Sequence, residues 1–407
     1  MLNAAQEREL AYVVTIDGIE PIPGYDRVES AIVGGWHVIV QKDQFKVGDP
    51  AIYFEIDSRV PSDRECFAFL EKRHYKVKTL KMCKTISQGL LMHASDFGWT
   101  IGDYNGITCI SDDEGVLHYA TDESRFLTKK LGVTYADDED NSRKAPSTDK
   151  YKKMASRHQK LFKKPFFRWM MRHGWGRKIL FFLFGKKKDK KNGWPSWVQK
   201  TDEERVQNMP WILNSNDKWI ATEKIDGTST TFTMKRGKFG RKSFYVCSRN
   251  VCFGEETKPC YYDTNVYWEM AKKYNIYDVL ANLLECNPDE EWITIQGETY
   301  GDGVQKRDYS LKDHDFAAFN LIFSTRGRIN TLYMKDILDG YKVPSVPIVE
   351  TNIDFTDKFA NVEDMLLWAE GESKVDGLPR EGIVFRTTDG TKSFKAVSNS
   401  FLLKYHG

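Results

Sequence analysis

Short apolar runs separated by turn residues make up the first part of the chain. From about Tyr12 to Val60 these runs are AYVVTI, VESAIVGGWHVIV and FKVGDPAIYFEID, with Gly, Pro and Asp between or within them. β-Branched and aromatic residues interrupted by turn residues predict short antiparallel strands. The pieces HYKVKTLKM and ISQGLLMHA continue the pattern to about residue 110. We therefore predict a small all-β barrel domain over residues 1–135.

From Trp194 onward, strand-like runs alternate with helical ones. The strand-like runs are KWIATEKI, TSTTFTMK, SFYVCSR, EWITIQGE, FAAFNLIF and EGIVFRT. Apolar residues recur at helical spacing in NVYWEMAKKYNIYDVLANLLE and in VEDMLLWAEG, so each of these predicts one helix. The pattern indicates a mixed α+β domain over residues 194–407.

The composition changes between these two parts, over residues 136–193. This stretch begins with the acidic ADDED and then becomes basic and aromatic through KKPFFRWMMRHGWGRKILFFLFGKKKDKKNG. Such a break is typical of a segment that joins domains. For the run from Lys186 to Lys191 we favour a solvated linker over a dedicated binding site. The aromatic part before it fits either an amphipathic element on nucleic acid or a membrane surface, or a short helix packed on a neighbouring domain.

Charge and the N-terminal sequence restrict the partners and the location. The formal net charge is +2, from 60 Lys and Arg and 58 Asp and Glu residues. Any affinity for nucleic acid must therefore come from local clusters of positive charge. The opening MLNAAQEREL lacks the pattern of a signal peptide, and no apolar run is long enough to span a bilayer. We predict a cytoplasmic protein with no membrane partner.

The cysteines do not form a recognisable metal or disulfide pattern. Their count is odd, and no CxxC pair occurs. This favours reduced, mostly packed thiols, with no zinc site. The seven are Cys66, Cys83, Cys109, Cys247, Cys252, Cys260 and Cys286.

The segment TEKIDGTSTTF is the first candidate for chemistry. Lys224 lies two residues before the pair Asp226-Gly227, which predicts a turn between two strands. A lysine in such a place can act as a nucleophile if burial or a nearby positive charge lowers its pKa. The alternative is a hairpin with an ordinary surface lysine.

Five further pieces follow Lys224 in a fixed order. They are Ser248-Arg249-Asn250, Gln296-Gly297-Glu298, Phe319 in AFNLIF, Glu381-Gly382-Ile383-Val384-Phe385 and Lys395 in KSFKAVSN. Each piece alone fits a core residue, a surface charge or a solvated strand end. Together, their order and spacing resemble the covalent nucleotidyltransferases, the superfamily of ATP-dependent ligases and mRNA capping enzymes.

This resemblance implies a role for each residue. Lys224 would carry the nucleotide covalently, with Glu223, Ile225 and Asp226 beside it in the nucleotide site. Glu298 would hold the ribose hydroxyls or a metal-bound water, and Phe319 would stack on adenine.

The remaining roles concern the phosphates. Glu381, with Glu298, would help to bind Mg²⁺ or Mn²⁺, which offsets phosphate charge. Lys395 would contact the α-phosphate, where charge develops as pyrophosphate leaves. Arg249 would meet the acceptor-side phosphate or the ribose.

The order of the domains makes the resemblance narrower. The sequence ends a dozen residues after Lys395, so a barrel must precede the catalytic domain. This arrangement resembles the Deinococcus- and Naegleria-type RNA ligases, and so do the phrases GWHVIVQKDQFKVGDPAIYFEIDS, ISQGLL and WPSWVQKTDEERVQN. The resemblance implies an OB-like N-terminal domain and a monomer. It also implies that ATP is used to seal 5′-phosphate and 3′-hydroxyl ends of RNA through lysyl-AMP.

The segment KTDEERVQN abuts the nucleotide site in this family. Lys200, Arg205 and Gln207 are therefore candidates for phosphate or adenosine contacts. Thr201 followed by Glu204 also matches the capping box that begins a helix, and both interpretations can hold together.

Two assignments of cations stay open. The family's last motif usually has two lysines separated by one residue, whereas Lys392 and Lys395 are separated by two. Lys395 is the safer assignment, and either Lys392 or Lys404 is a candidate for the second cation.

In the N-terminal domain, Lys42, Lys46 and Arg59 are candidates for contacts with the RNA backbone. For the aromatic residues Trp36 and Tyr53 we favour a place in the core over stacking on bases.

Two other functions are compatible with these motifs. A capping guanylyltransferase shares the step that forms the lysyl-nucleotide. A non-catalytic nucleic-acid-binding protein would use the barrel alone, but the intact set of Lys224, Glu298, Glu381 and Lys395 argues against it.

Overall fold

The structure is a computed structural model, and it describes the two predicted domains. Described are residues 1–136 and 194–406 except 255, 257–259, 261 and 263, together with residues 167, 170 and 180. Met1–Ala136 and Trp194–Gly407 form one compact unit. The interpretations of the basic run and of the aromatic segment before it lie outside the described residues.

The N-terminal domain is built from short antiparallel strands, as the alternating pattern predicts. Strands β1, β5 and β9 form one sheet and β2, β3 and β4 another, while β10, β11 and β12 form a third. The smaller pairs are β6 with β13 and β7 with β8. The strands are β1 (Ala11–Thr15), β2 (Gly18–Pro21), β3 (Val28–Val33), β4 (Trp36–Gln41), β5 (Pro50–Phe54), β6 (Ser58–Arg59), β7 (Leu80–Met82), β8 (Thr85–Ser87), β9 (Leu90–Met92), β10 (Thr100–Tyr104), β11 (Ile107–Ser111), β12 (Leu117–Tyr119) and β13 (Thr134–Tyr135), and helix α1 is Thr128–Leu131.

The interior of this domain is aromatic. Trp36 is 1% exposed and Tyr53 is fully buried, and their rings stack with centroids 6.3 Å apart. The prediction that these two residues belong to the core is confirmed.

The C-terminal domain contains two antiparallel sheets. One has the strand order β21-β14-β22-β23, and the other has the order β17-β16-β15-β18-β19-β20. Its strands are β14 (Trp219–Glu223), β15 (Thr228–Arg236), β16 (Lys242–Ser248), β17 (Cys252–Phe253), β18 (Trp292–Gly301), β19 (His314–Phe323), β20 (Gly327–Arg328), β21 (Ile348–Ile353), β22 (Gly382–Thr387) and β23 (Ser393–Val397). Its helices are α2 (Val266–Lys273), α3 (Ile276–Cys286), α4 (Thr331–Gly340), α5 (Phe355–Lys358), α6 (Val362–Ala369) and α7 (Asn399–Phe401).

The long helical pattern after Asn265 forms two helices instead of the single one predicted. Helix α2 ends at Lys273 and α3 begins at Ile276. Between them, Asn275 has φ 48°, in the left-handed region that ends a right-handed helix. Asparagine tolerates this conformation better than most residues do, so the chain can change direction there.

Each sheet packs one face against helices. The core of the six-stranded sheet includes Phe232 and Ile295 with residues of α2 and α3. The core of the four-stranded sheet includes Ile383 and Phe385 with residues of α6. Because side chains alternate along a strand, Val384 and Arg386 face the other way, toward the cavity described below.

The N-terminal domain contacts the C-terminal domain directly within the compact unit. The imidazole of His37 lies 3.1 Å from the carboxylate of Glu363. The guanidinium of Arg205 lies 5.7 Å from the centroid of the Trp36 ring. A Cβ atom on Gly35 would come within 2.7 Å of Cγ1 of Val362, so the β3–β4 turn packs tightly on the side chains of α6. These contacts tie the β3–β4 turn to α6 and to the segment before β14.

Membrane-spanning helices are absent from the described part of the chain. None of its helices is long and apolar enough to cross a bilayer.

Candidate active site

A cavity of about 400 Å³ opens where the two sheets face each other. Strands β14 and β22 of one sheet and β15, β18 and β19 of the other contribute its walls. Nine of the twelve residues nominated from the sequence line it: Glu223, Lys224, Ile225, Asp226, Arg249, Glu298, Phe319, Glu381 and Lys395.

Lys224 lies just beyond the end of β14, and its amine points at a carboxylate. Its backbone N–H donates to the carbonyl of Gly382, 2.9 Å away. Its Nζ donates to Oε2 of Glu381 at 2.7 Å, and the side chain is 25% exposed. The lysine therefore forms an ion pair inside the cavity.

The expectation of a lowered Lys224 pKa is wrong for this state. Burial does lower the pKa, but the negative charges of Glu381, Glu298 and Asp226 outweigh it and raise the pKa of Lys224 above its ordinary value. The amine is thus held as an ammonium ion until the negative charge around it is offset.

The turn after Lys224 is fixed by one hydrogen bond and one close approach. The N–H of Asp226 donates to the hydroxyl oxygen of Tyr309 at 2.7 Å. A Cβ atom on Gly227 would lie 2.3 Å from the carbonyl oxygen of Thr299, so only glycine fits there. The Asp-Gly pair therefore brings the turn against β18, which carries Glu298.

Glu298 lies among several negative charges. Burial, with Glu381 and Asp226 nearby, raises the pKa of Glu298 to about 8, although Lys224 opposes the shift. Because the surroundings disfavour the ionised form of Glu298, a bound cation would stabilise that ionised form.

These carboxylates fit a divalent metal that shares its coordination with a ligand. Mg²⁺ prefers oxygen ligands and commonly takes one or two carboxylates, with substrate phosphates and water completing its shell. Over the described residues, no group of three or more His, Cys, Asp and Glu could hold a metal by itself. Glu298 and Glu381 therefore suit a metal that arrives with phosphate.

Two cations face the same part of the cavity. Burial, with Lys224 and Arg205 nearby, lowers the pKa of Lys395 to about 8. Asp202 lies between the cations, with Oδ2 2.6 Å from Nη2 of Arg249 and Oδ1 3.6 Å from Nζ of Lys395. A carboxylate thus occupies the space between two groups that suit phosphate.

Phe319 lies on another wall, beside an arginine that the sequence analysis missed. The guanidinium of Arg386 is 5.5 Å from the centroid of the Phe319 ring. Arg386 donates to the Thr222 hydroxyl at 3.2 Å and to the Glu203 carboxylate at 3.3 Å. Burial lowers the pKa of Arg386 to about 10. Its buried Nε has no hydrogen-bond partner within the described part of the chain, so one donor is available there.

The carboxylate of Glu223 is committed to the protein. It accepts hydrogen bonds from the Ser373 hydroxyl and, at 2.8 Å, from the N–H of Lys374. Burial raises the pKa of Glu223. The two hydrogen bonds to the Glu223 carboxylate anchor the end of β14 to the loop before Glu381.

Three nominated residues do not line the cavity. Lys200 donates from Nζ to Asn250 at 2.8 Å, Arg205 packs on Trp36, and Gln207 is 1% exposed. Arg205 still acts on the site through its charge, since it helps to lower the pKa of Lys395.

The capping box at Thr201 and Glu204 is not formed. Residues 201–204 are not helical, and a 3₁₀ helix begins only at Val206. The Thr201 hydroxyl hydrogen-bonds with that of Ser229 at 3.0 Å, and the Glu204 carboxylate accepts from Asn208 at 2.9 Å. The Glu204 carbonyl accepts from the N–H of Lys395 at 2.7 Å, so the segment runs beside β23.

The other nominated cations lie elsewhere. Lys392 pairs with Asp217 at 2.6 Å, and Nζ of Lys404 lies 5.0 Å from the Tyr405 ring centroid. Neither lines the cavity, where Arg386 is the additional buried cation. Arg59 is only 7% exposed and donates to the His74 carbonyl at 3.3 Å, so it is not a surface phosphate contact as expected.

Sequence reasoning also missed acidic and amide groups at the rim. Asp202, Glu203 and Gln305 line the cavity. Arg386 had a detectable signal, because it is a charged residue at an alternate position of the otherwise apolar run EGIVFRT. Asp202 and Glu203 had none, because their places depend on how the segment crosses the sheets.

Comparisons with known proteins agree with this geometry. Residues 217–406 match the family model described as RNA ligase, and residues 10–94 match a model of an OB-fold domain. The predicted OB-like domain and the predicted nucleotidyltransferase domain are thereby confirmed as fold types. No curated protein matches the chain in a sequence comparison.

Solved structures of Naegleria gruberi RNA ligase resemble the whole chain. The enzyme with PPi has a TM-score of 0.62 and 25% identity, covering 98% of this chain and 99% of that one. A mutant of the same enzyme with ATP and Mn has a TM-score of 0.63 and 24% identity, covering 98% and 100%. The C-terminal part of the chain therefore belongs to the RNA ligase family, with an OB-fold domain ahead of it as in the Naegleria enzyme.

Proposed function

We propose that the chain uses ATP to seal a 5′-phosphate end of RNA to a 3′-hydroxyl end through AMP held covalently on Lys224. The observation that carries the proposal is the position of the Lys224 amine. It lies 2.7 Å from Glu381 in a cavity that also holds the cations Arg249 and Lys395 and the ring of Phe319. Solved forms of the Naegleria ligase contain ATP and Mn, or AMP and Mn, which supports the same ligands here.

In the first step, the Lys224 amine attacks the α-phosphorus of ATP. A P–N bond forms, the bond from the α-phosphorus to the bridging oxygen breaks, and pyrophosphate leaves with the electron pair. The Lys224 ammonium first gives one proton to Oε2 of Glu381, which already accepts its hydrogen bond, and the nitrogen loses a second proton to water as the P–N bond forms. Lys395 and Arg249 stabilise the charge that develops on the phosphates.

Adenine binds against Phe319. The ring offers stacking worth on the order of 1 kcal/mol beyond the burial of area. The guanidinium of Arg386 lies on the same wall, 5.5 Å from the centroid of the Phe319 ring, and adds positive charge there. Glu223 and Ile225 hold the walls of this part of the site in place.

The next two steps transfer and then release AMP. An oxygen of the RNA 5′-phosphate attacks the phosphorus of lysyl-AMP, the P–N bond breaks, and the amine of Lys224 is restored. The RNA 3′-hydroxyl then attacks the activated 5′-phosphate, and AMP leaves. Each step is an in-line phosphoryl transfer in which positioning and electrostatic stabilisation supply most of the catalysis.

A divalent metal fits beside Glu298 and Glu381. Bound with phosphate, Mg²⁺ or Mn²⁺ would offset the negative charge in the cavity. That negative charge keeps Lys224 protonated and disfavours the ionised form of Glu298. Glu298 and Glu381 would hold it from the protein side.

The organisation of the protein follows the same proposal. We divide the chain into an OB-like domain (1–135), a charged insert (136–193) and the ligase domain (194–407), acting as a monomer. We also propose a cytoplasmic location, because the thiols of six cysteines are free, as suits a reducing compartment: Cys66, Cys83, Cys109, Cys247, Cys260 and Cys286.

A sealing assay with two nucleotides tests the function. We expect the parent chain to join a nicked RNA duplex with ATP and magnesium, and the Lys224→Ala variant to be inactive. GTP should not replace ATP. Sealing that survives Lys224→Ala would favour the non-catalytic binding protein with a contaminating ligase, and protein labelling from GTP alone would favour a capping guanylyltransferase.

A further inference from the structure

A segment of the OB-fold domain concentrates positive charge in a chain that is nearly neutral overall. Between Lys72 and Lys84 the sequence carries six Lys and Arg residues, and no Asp or Glu occurs from residue 72 to residue 95. This cluster is local charge of the kind that nucleic-acid binding needs.

The side chains of this segment are directed to solvent. Lys72, Arg73, Lys78, Lys81 and Lys84 are all exposed. Val77, between two of the lysines, is 4% exposed and belongs to the core, so Lys78 points away from the interior. Within the described part of the chain, Lys72, Arg73, Lys78 and Lys84 form no ion pair with a carboxylate. Their charge is therefore available to a partner.

The turn that carries Lys84 contains residue types that are uncommon in a two-residue hairpin turn. Strands β7 and β8 pair from Leu80 with Ser87 to Met82 with Thr85, which leaves a two-residue turn. Both turn residues, Cys83 and Lys84, have positive φ, 54° and 60°. Such turns normally contain Asn and Gly, because other side chains are strained there. The hairpin nevertheless places a lysine at its tip.

The β7–β8 hairpin packs against the part of the ligase domain that carries the active site. Ile86 packs against Val397 and Leu402, and Nζ of Lys81 donates to the Leu403 carbonyl at 2.7 Å. Val397 is two residues after Lys395, about 7 Å along the strand. Val397 also pairs with Gly382, which follows Glu381. A duplex with its nick over the cavity would thus extend naturally toward this hairpin.

We propose that the exposed cations from Lys72 to Lys84, here called the basic hairpin surface, bind the phosphate backbone of the RNA duplex beside the nick. The inference rests on the proposed RNA-sealing function and names the surface that holds its substrate. Double-stranded RNA is recognised largely through its shape and backbone, so unpaired lysines and arginines are the groups required. Contact with phosphates releases counterions, which makes such binding dependent on salt.

Two double charge reversals on the same domain test the inference. The test variant is Lys78→Glu with Lys84→Glu, and the matched control is Arg27→Glu with Lys129→Glu, two other exposed cations of this domain. Binding of a nicked RNA duplex is measured over a series of salt concentrations. We expect the test variant to bind at least about tenfold more weakly at low salt and its salt slope to fall by about two, since each phosphate contact contributes roughly one. The control should keep the parent slope.

Labelling of Lys224 from ATP without RNA separates this inference from the proposed function. Both variants should label like the parent, which also shows that they are folded. Parental RNA affinity and slope in the Lys78/Lys84 variant, or an equal loss in the Arg27/Lys129 variant, would overturn the basic hairpin surface. Absence of labelling in the parent would contradict the lysyl-AMP step, while RNA binding would still decide the surface.

Discussion

Carboxylates dominate the surroundings of the Lys224 amine, although the cation Lys395 also lies near it. Glu381, Glu298 and Asp226 raise the pKa of Lys224, so the site without substrate holds an ammonium ion. The same carboxylates become favourable when phosphates bring a divalent cation into the cavity. At the scale of single residues, the site is therefore activated by the arrival of its substrate.

The pH dependence of stability reports on Glu298. Its pKa is about 8 in the folded chain, raised from 4.5. The folded chain favours the protonated form of Glu298. This preference stabilises the folded chain fully below about pH 4.5, and the stabilisation is lost as the pH rises to about 8. Glutamine imitates the protonated form. We expect Glu298→Gln to melt at the parent temperature near pH 5 and about 1 °C higher near pH 8.5, as about 1 kcal/mol would give for a chain of 407 residues.

A second buried glutamate provides the control for this measurement. Hydrogen bonds from Thr325, Ser324 and Arg326 overcome the effect of burial and lower the pKa of Glu290 to about 2. Glu290→Gln should therefore melt below the parent at both pH values. A Glu298→Gln variant with the same melting difference at pH 5 and pH 8.5 would contradict the account of Glu298.

Tyr309 positions the turn that follows the nucleophile. Its hydroxyl accepts from the N–H of Asp226, and Arg307 lies 4.1 Å from its ring centroid while pairing with the buried Asp376. Tyr309→Phe leaves that N–H without its partner. We expect kcat for lysine adenylylation to fall on the order of tenfold with little change in KM for ATP, because displacement of a reacting group lowers the rate more than binding.

The neighbouring tyrosine makes a matched control. Tyr300 is 6% exposed and its ring centroid lies 5.0 Å from that of Tyr309, but its hydroxyl makes no hydrogen bond within the described residues. Tyr300→Phe removes the same atom and should leave kcat unchanged. Equal losses in both variants would indicate a general packing effect.

The segment of residues 201–205 closes one side of the cavity. Asp202 on this segment pairs with Arg249 and Lys395, the two cations assigned to phosphate. The carboxylate therefore competes with the incoming phosphate. Exposed ion pairs contribute about 0.2–1 kcal/mol, so we expect Asp202→Asn to tighten pyrophosphate binding by up to about fivefold in titration calorimetry.

A second acid of the same segment controls for the loss of charge. Glu204 points at Asn208 and does not line the cavity. Glu204→Gln removes the same charge and should leave the affinity for pyrophosphate unchanged. Weaker binding by Asp202→Asn would mean that the carboxylate helps to hold the phosphate.

A local sequence pattern predicts a strand or a helix when packing against its immediate neighbours determines which of its residues are apolar. The strand-like runs TSTTFTMK and EGIVFRT were enough to place β15 and β22, because each strand is buried along most of its length. The break between α2 and α3 escaped prediction, because the left-handed Asn275 leaves the apolar period almost intact. The capping box at Thr201 failed for a different reason, since β23 satisfies the backbone of that segment from nearly 200 residues away.

The site was predictable where a motif is local and unpredictable where distant groups act. Lys224, Asp226 and Gly227 define one turn, so their arrangement could be inferred from the sequence. The direction of the Lys224 pKa shift could not, because Glu298 and Glu381 approach it from two other strands or loops. Arg386 was missed because a role for it appears only when β22 faces Phe319.

At the scale of the molecule, the OB-fold domain is attached close to the catalytic residues. Arg205 connects Trp36 of the first domain to the charge of Lys395 in the second. The basic hairpin surface adjoins β23 through the packing of Ile86 on Val397. The proposed RNA-binding surface and the proposed catalytic site thus belong to a single compact unit.

The most direct measurement of the central claim is the mass of the protein after incubation with ATP and magnesium. We predict an increase equal to one adenylate, mapped by peptide sequencing to Lys224. It should be absent from Lys224→Ala and retained in Lys218→Ala, a lysine just before β14 that pairs with Asp354 outside the cavity. No increase in the parent, or an adenylate on another side chain, would contradict the account.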